Sequence, residues 1–235
     1  MTAFPAHTDK HYLTAKRVLD IAYASSASLL LALPFSLIAL SVLLSSGSPV
    51  IFKQVRVGRG GVPFTCYKIR SMRKDAPVLP ASLLTDQEGL VTDIGRFLRR
   101  TSLDEITQLY NILRGDMSLI GPRPLIPVEH DVHRQRRASG ASHKVPGLSG
   151  LSQTVSRDFL TDFQKSRLDE LYSDHASIWL DLSILMHTLP CIRHGEATRQ
   201  KGHLYESFLI PHRRSASRAS APRHRHLKSK RQADT

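Results

Sequence analysis

Positions 21–44 form a run of 24 residues without a single charged side chain. That exceeds the roughly 20 residues a helix needs to cross the hydrocarbon core of a bilayer, so this run constrains the chain more than any other feature. Pro34 stands in mid-run, where it removes a helical hydrogen bond and crowds the preceding turn, and a kink is predicted there. Each half, 21–33 and 35–44, is too short to cross alone. Lys16 and Arg17 precede the run and Lys53, Arg56 and Arg59 follow it, whereas a simple span carries its basic excess on one side. Kink and flanks together predict a re-entrant helical hairpin that enters one leaflet and returns, with both ends cytoplasmic. An ordinary tilted span with a proline kink is the alternative. A cleaved signal peptide fits less well, because the apolar run is too long for one.

The remainder reads as a globular body with a basic tail. Across 235 residues, 41% are apolar and 23% charged, which excludes wholesale disorder and a polytopic membrane bundle. Cys66 and Cys191 lie far apart without a Cys-x-x-Cys or Cys/His ligand spacing, so neither a disulfide framework nor a zinc site is expected. The formal charge of +13 favours polyanionic partners, but from residue 193 onward there are eleven cations against three acids, a net +8 of that total. This Arg-, His- and Ser-rich stretch is predicted to be disordered, with anionic lipid headgroups as its expected partner. Nucleic acid is not expected, since the charge sits in the tail and the body carries none of the usual binding modules.

Residues 49–57 and 63–70 read as two strands joined by Gly58, Arg59, Gly60, Gly61 and Val62, a β-hairpin whose glycines serve the turn and do not cradle phosphate. Residues 74–91, with Pro77, Pro80 and Gly89, read as a loop. Leu103, Ile106, Leu109, Tyr110 and Leu113 then recur at helical spacing, with Ser102 as N-cap, Glu105 three residues later and Gly115 just past the end. Such a capping box sets Asp104 and Glu105 side by side at the positive end of a helix, directly after Arg99 and Arg100. Capping alone accounts for these acids. An adjacent carboxylate pair beside arginines can also hold Mg²⁺ or supply an anionic nucleophile to phosphorus. Pro122 and Pro124 hold Arg123 in a stiff turn suited to phosphate recognition. Residues 145–150 make another turn, and 159–189 hold two amphipathic helical patterns, with Trp179 placed either in the core or at a membrane interface.

Taken in order, these motifs resemble the bacterial sugar transferases, the monotopic phosphoglycosyl transferases that start cell-surface polysaccharides on a polyprenyl phosphate carrier. The resemblance begins at Lys16, Arg17 and Asp20 and passes through 48–52, 67–72 and 95–105. It continues through 111–124, the Pro146-Gly147 turn and 179–182, covering about 16–190, and is to the compact form of the family. It implies an α+β fold in which a re-entrant membrane helix (16–47, after an extension 1–15) precedes a catalytic domain (48–192) on the cytoplasmic face of the bacterial inner membrane. A tail follows (193–235). It further implies UDP-sugar and polyprenyl phosphate as substrates, UMP as a product and Mg²⁺ as cofactor. Asp104 is then the nucleophile that forms a phosphosugar-enzyme intermediate, and Glu105 with Asp104 holds the metal. Arg123, Lys68, Arg70 and Arg100 are candidates for the diphosphate, chosen on their chemistry. The sequence departs from the family pattern at Leu33-Pro34, usually Ser-Pro, at Leu151, usually Trp, and at Ser156, usually Gly. A non-catalytic membrane scaffold is the competing function, and the sequence specifies neither the sugar nor the oligomeric state.

Overall fold

The structure is a computed structural model that describes residues 10–77, 87–155 and 160–194. Residues 1–9 of the extension 1–15, residues 195–235 of the tail 193–235 and Ser156 lie outside the described residues, while 10–15 belong to the first helix. Two helices open the chain, α1 (Lys10–Leu30) and α2 (Ala32–Ser46), bent by 62° at Leu31. The break falls three residues before Pro34 instead of at it. Pro34 has no N–H for the Leu30 carbonyl and its ring crowds that carbonyl, so the helix gives way one turn back. Among the described residues no single helix is long and apolar enough to cross a membrane, and this bent pair is what passes on length and composition.

The charged end of α1 is bound to the body by side chains. Arg17 donates from Nη1 to Ile112 O (2.6 Å) and from Nη2 to Leu113 O (2.8 Å). Asp20, 5% exposed, accepts from Leu119 N–H at 2.9 Å. Asp181 gathers Lys16 Nζ (2.7 Å), Tyr12 Oη–H (2.9 Å) and Tyr172 Oη–H (2.7 Å). Burial, together with Asp181, pushes both phenols up, so they remain protonated donors. Residues read as topogenic flanks are thus docking contacts.

The hairpin forms as expected, β1 (Ile51–Val57) pairing antiparallel with β2 (Pro63–Ile69) in the register Ile51↔Ile69 to Val57↔Pro63. Gly60 (φ 69°) and Gly61 (φ 85°) supply the left-handed turn. After a short helix α3 (Gln87–Leu90) comes α4 (Asp93–Thr101), N-capped by Thr92, whose Oγ1 accepts from Gly95 N–H at 3.0 Å. A side chain at Gly95 would place its Cβ 1.9 Å from Ser71 O, so α4 crosses the end of the hairpin as closely as backbone allows.

The capping box predicted at Ser102 does not form. Ser102 is instead the left-handed C-cap of α4 (φ 57°), and it makes no side-chain capping bond. Residues Leu103–Glu105 make one 3₁₀ turn, and α5 (Gln108–Arg114) starts only after it, ending at Gly115 (φ 90°) as expected. The reason is competition for Glu105, whose carboxylate pairs with Lys68 at 2.7 Å. Asn111 of α5 is fully buried and closes the free edge of β2, accepting from Tyr67 N–H (3.2 Å) and donating to Thr65 O (2.7 Å).

β3 (Ser118–Ile120) and β4 (Gly147–Ser149) form a two-stranded parallel pair, so the chain is α+β with helix predominating. Between them runs α6 (His130–Ser139), which the sequence pattern did not announce. The chain continues through α7 (Leu151–Val155), α8 (Asp162–His175, with a Thr161/Gln164 capping box) and α9 (Ile178–His194). One core cluster joins Ala24 to Cys66, Leu109, Ile112 and Met117; a second joins Val42 to Ile69 and Leu98. Each helix of the bent pair therefore contributes a small residue to the body, while Leu29, Leu30, Leu33 and Leu44 are 71–83% exposed. Trp179 is 81% exposed on α9 and is not a core residue.

Candidate active site

Alternation along the hairpin puts Phe52, Gln54 and Arg56 opposite Lys68, Cys66 and Phe64, so four polar side chains share one face. That face meets the Leu103–Glu105 turn, the start of α5 and the Pro-Arg-Pro turn around a small cleft. Arg56, Lys68 and Arg123 supply its cations and Glu105 its carboxylate. Gln108 and Gln153 add amides, Cys66 a thiol, and Pro124, Gly147 and Leu148 complete the lining.

The Pro-Arg-Pro turn is held at every carbonyl from 122 to 126. Pro122 O accepts from Gly147 N–H (2.9 Å), Arg123 O from Arg136 Nη1 (2.9 Å) and Pro124 O from Arg56 Nη1 (2.7 Å). Leu125 O accepts from Val57 N–H (2.9 Å), and Ile126 O meets His133 Nε2 at 2.9 Å. Arg136 is held in turn by Asp169, with Nε to Oδ2 at 2.9 Å, and the pair is 8% and 1% exposed. The turns at 121 and 147–150, separate in the sequence, pack glycine against glycine: a Cβ on Gly147 would sit 2.1 Å from Gly121 N, and one on Gly150 2.1 Å from Gly121 O. No larger residue fits this crossing, and the closeness brings Gly147 and Gln153 to Arg123.

Of the residues singled out in the sequence, the fold brings Lys68, Glu105 and Arg123 together in the cleft. Asp104 is buried (8% exposed) on the same turn, one residue from Glu105. Arg70 is also buried, but its Nη1 lies 3.5 Å from Gly47 O at the end of α2. Arg100 is exposed on α4, and neither it nor Arg70 lines the cleft. Leu151, the departure from Trp, is buried in α7. Sequence reasoning missed Arg56, Gln108 and Gln153. Strand alternation from Lys68 and helical spacing from Glu105 were the signals for the first two.

Electrostatics separates the possible nucleophiles. Burial pushes the Cys66 thiol up, with Lys68 and Arg56 opposing, so it stays protonated and is not a thiolate. Burial lowers Arg56, with Cys66, Glu129 and Glu105 opposing the shift. Three cations around one carboxylate leave the cleft positive.

A basic cleft beside a carboxylate-bearing turn and a bent apolar helix pair thus belong to one folded body. Residues 11–195 match the model of the bacterial sugar transferases, and the chain belongs to that family. It is 38% identical over 80% of its length to the galactosyl transferase CpsE of Streptococcus agalactiae, of which it spans 44%. It is 39% identical to the UDP-glucose:undecaprenyl-phosphate glucose-1-phosphate transferase of Caulobacter vibrioides, over 75% of this chain and 69% of that one. A putative undecaprenyl-phosphate N-acetylgalactosaminyl 1-phosphate transferase of Bacillus subtilis is 48% identical over 50% of this chain and 65% of its own. The chain thus spans less than half of the Streptococcus relative, and the three relatives are named for three different sugars.

Proposed function

We propose that this protein transfers a phosphosugar from a UDP-sugar to polyprenyl phosphate at the cytoplasmic face of a bacterial inner membrane, the step that begins a polysaccharide or glycoconjugate. The observation that carries this is the cleft itself, where Lys68 and Arg123 face the turn bearing Asp104 and Glu105. A carboxylate oxygen of Asp104 attacks the β-phosphorus of the UDP-sugar. The new O–P bond forms as the bond from that phosphorus to the bridging oxygen breaks, and UMP leaves with the electron pair. An oxygen of polyprenyl phosphate then attacks the same phosphorus, the aspartyl O–P bond breaks, and polyprenyl-diphosphate-sugar departs with the carboxylate restored. Arg123 and Lys68 neutralise the phosphate oxygens as charge moves across them.

Mg²⁺ is the cofactor implied by the family. Among the described residues no group of three or more His, Cys, Asp or Glu converges to hold a metal. Two adjacent carboxylates nonetheless suit Mg²⁺, which is commonly held by one or two acids and completes its shell with phosphate oxygens and water. Glu105 and Asp104 would hold it. When bound it neutralises diphosphate charge and polarises a phosphoryl oxygen.

The bent pair is proposed as a re-entrant element. Its apolar pieces, 21–30 and α2, are about 15 and 22 Å long at 1.5 Å per residue, each short of a core of about 30 Å. Its two ends join one folded body, through Lys16, Arg17 and Asp20 on one side and through β1 on the other, which favours return to the same face. Labelling of Lys10→Cys and Val50→Cys in cysteine-depleted protein tests this: both are expected to react from the cytoplasmic side, and reaction from opposite sides contradicts it. The transfer is tested by UMP release from a panel of UDP-sugars with Mg²⁺ and polyprenyl phosphate. One donor should react and Asp104→Asn should not, whereas membrane binding with no turnover on any donor favours a scaffold.

A further inference from the structure

We propose that Arg56 is a substrate-positioning residue that acts through Arg123; this rests on the cleft being the UDP-sugar site. Arg56 is aimed by its own strand, since Nε (2.9 Å) and Nη2 (2.5 Å) both donate to Gln54 Oε1, two residues back on the same face. That leaves Nη1 to reach across the cleft to Pro124 O at 2.7 Å. The ring of Pro124 fixes its φ, so one torsion sets the direction of its carbonyl, and Arg56 fixes that torsion from the cleft side. Arg136 grips the preceding carbonyl, Arg123 O, from the side of Asp169. Two guanidinium groups thus clasp successive carbonyls of the turn that carries Arg123, whose side chain lines the cleft.

A purely structural tie between β1 and this turn already exists without Arg56, because Val57 N–H donates to Leu125 O at 2.9 Å. The distinct contribution of Arg56 is control of the Pro124 carbonyl, combined with a partly buried cation in the lining. Lysine cannot supply it. A single ammonium carries the charge but not the planar fork that holds Gln54 and Pro124 together.

The test is a double-mutant cycle on UDP binding, measured by calorimetry with Mg²⁺ on the full chain in nanodiscs. Arg123→Gln is expected to weaken UDP about thirtyfold, as for loss of a charged hydrogen bond, and Arg56→Lys about tenfold. In the Arg123→Gln background, Arg56→Lys should cost less than about twofold, because its partner is gone. Gln54→Met should reproduce a weaker version, about threefold with the same non-additivity, and serves if Arg56→Lys does not fold. Multiplying effects, or unchanged UDP affinity in Arg56→Lys and Gln54→Met, overturn the proposal. Absence of UDP binding by the wild-type chain is a different failure, since it removes the UDP-sugar site itself.

Discussion

The two walls of the cleft are held by opposite means. On one, five successive carbonyls from Pro122 to Ile126 are each engaged, and the wall rests on the buried Arg136–Asp169 pair. On the other, Asp104 and Glu105 ride a single 3₁₀ turn between α4 and α5, entered through a left-handed Ser102 and tied across the cleft by the Lys68–Glu105 pair. The difference assigns the work. In the proposed reaction the basic wall, already preorganised, would position phosphate at little entropic cost. The acidic wall would carry the groups that change partners, and a single ion pair can be exchanged where five held carbonyls cannot.

Substitutions on the two walls should therefore differ in kind. Asp104→Asn has the largest effect: turnover falls at least about a thousandfold while thermal stability stays near wild type. A matching loss of thermal stability would return Asp104 to a structural role. Next is Arg136→Met, which strands Asp169 in the core and is expected to cost about 3–5 kcal/mol in denaturant unfolding. If stability holds and only activity falls, the basic wall is not the rigid one. Lys68→Met removes the tie across the cleft and should lower kcat/KM about tenfold. Its contradiction is unchanged kinetics at every UDP-sugar concentration. Smallest is Ser102→Gly, which relieves the positive φ and should add about 0.5 kcal/mol, read as a slightly higher Tm.

The hairpin was legible because alternation and a glycine-rich turn agree, and the resemblance carried the family and the Asp104-Glu105 pair. The start of the next helix was misread because Ser102 and Glu105 have the right types and spacing for a capping box. Only the fold shows Lys68 taking Glu105 and Ser102 closing the preceding helix. Helix His130–Ser139 was silent since Val132 and Ala138 are its only apolar residues, so it has no apolar stripe, and it is held by Arg136 and His133 instead. Lys16, Arg17 and Arg56 were taken for membrane flanks because charge beside an apolar run reads that way. Their partners, Asp181, the end of α5 and Pro124, lie 68 to 165 residues away. The cleft draws on four separated segments, and pairing at that range is not written in any local pattern.

Covalent transfer through Asp104 is open to direct test by intact-protein mass spectrometry. The full chain is incubated with Mg²⁺ and the reacting UDP-sugar, without polyprenyl phosphate. The expected result is a mass increase of one phosphosugar with release of one UMP, absent in Asp104→Asn and discharged when polyprenyl phosphate is added. UMP formed only when both substrates are present, with no adduct on the wild-type chain and turnover retained in Asp104→Asn, would contradict it.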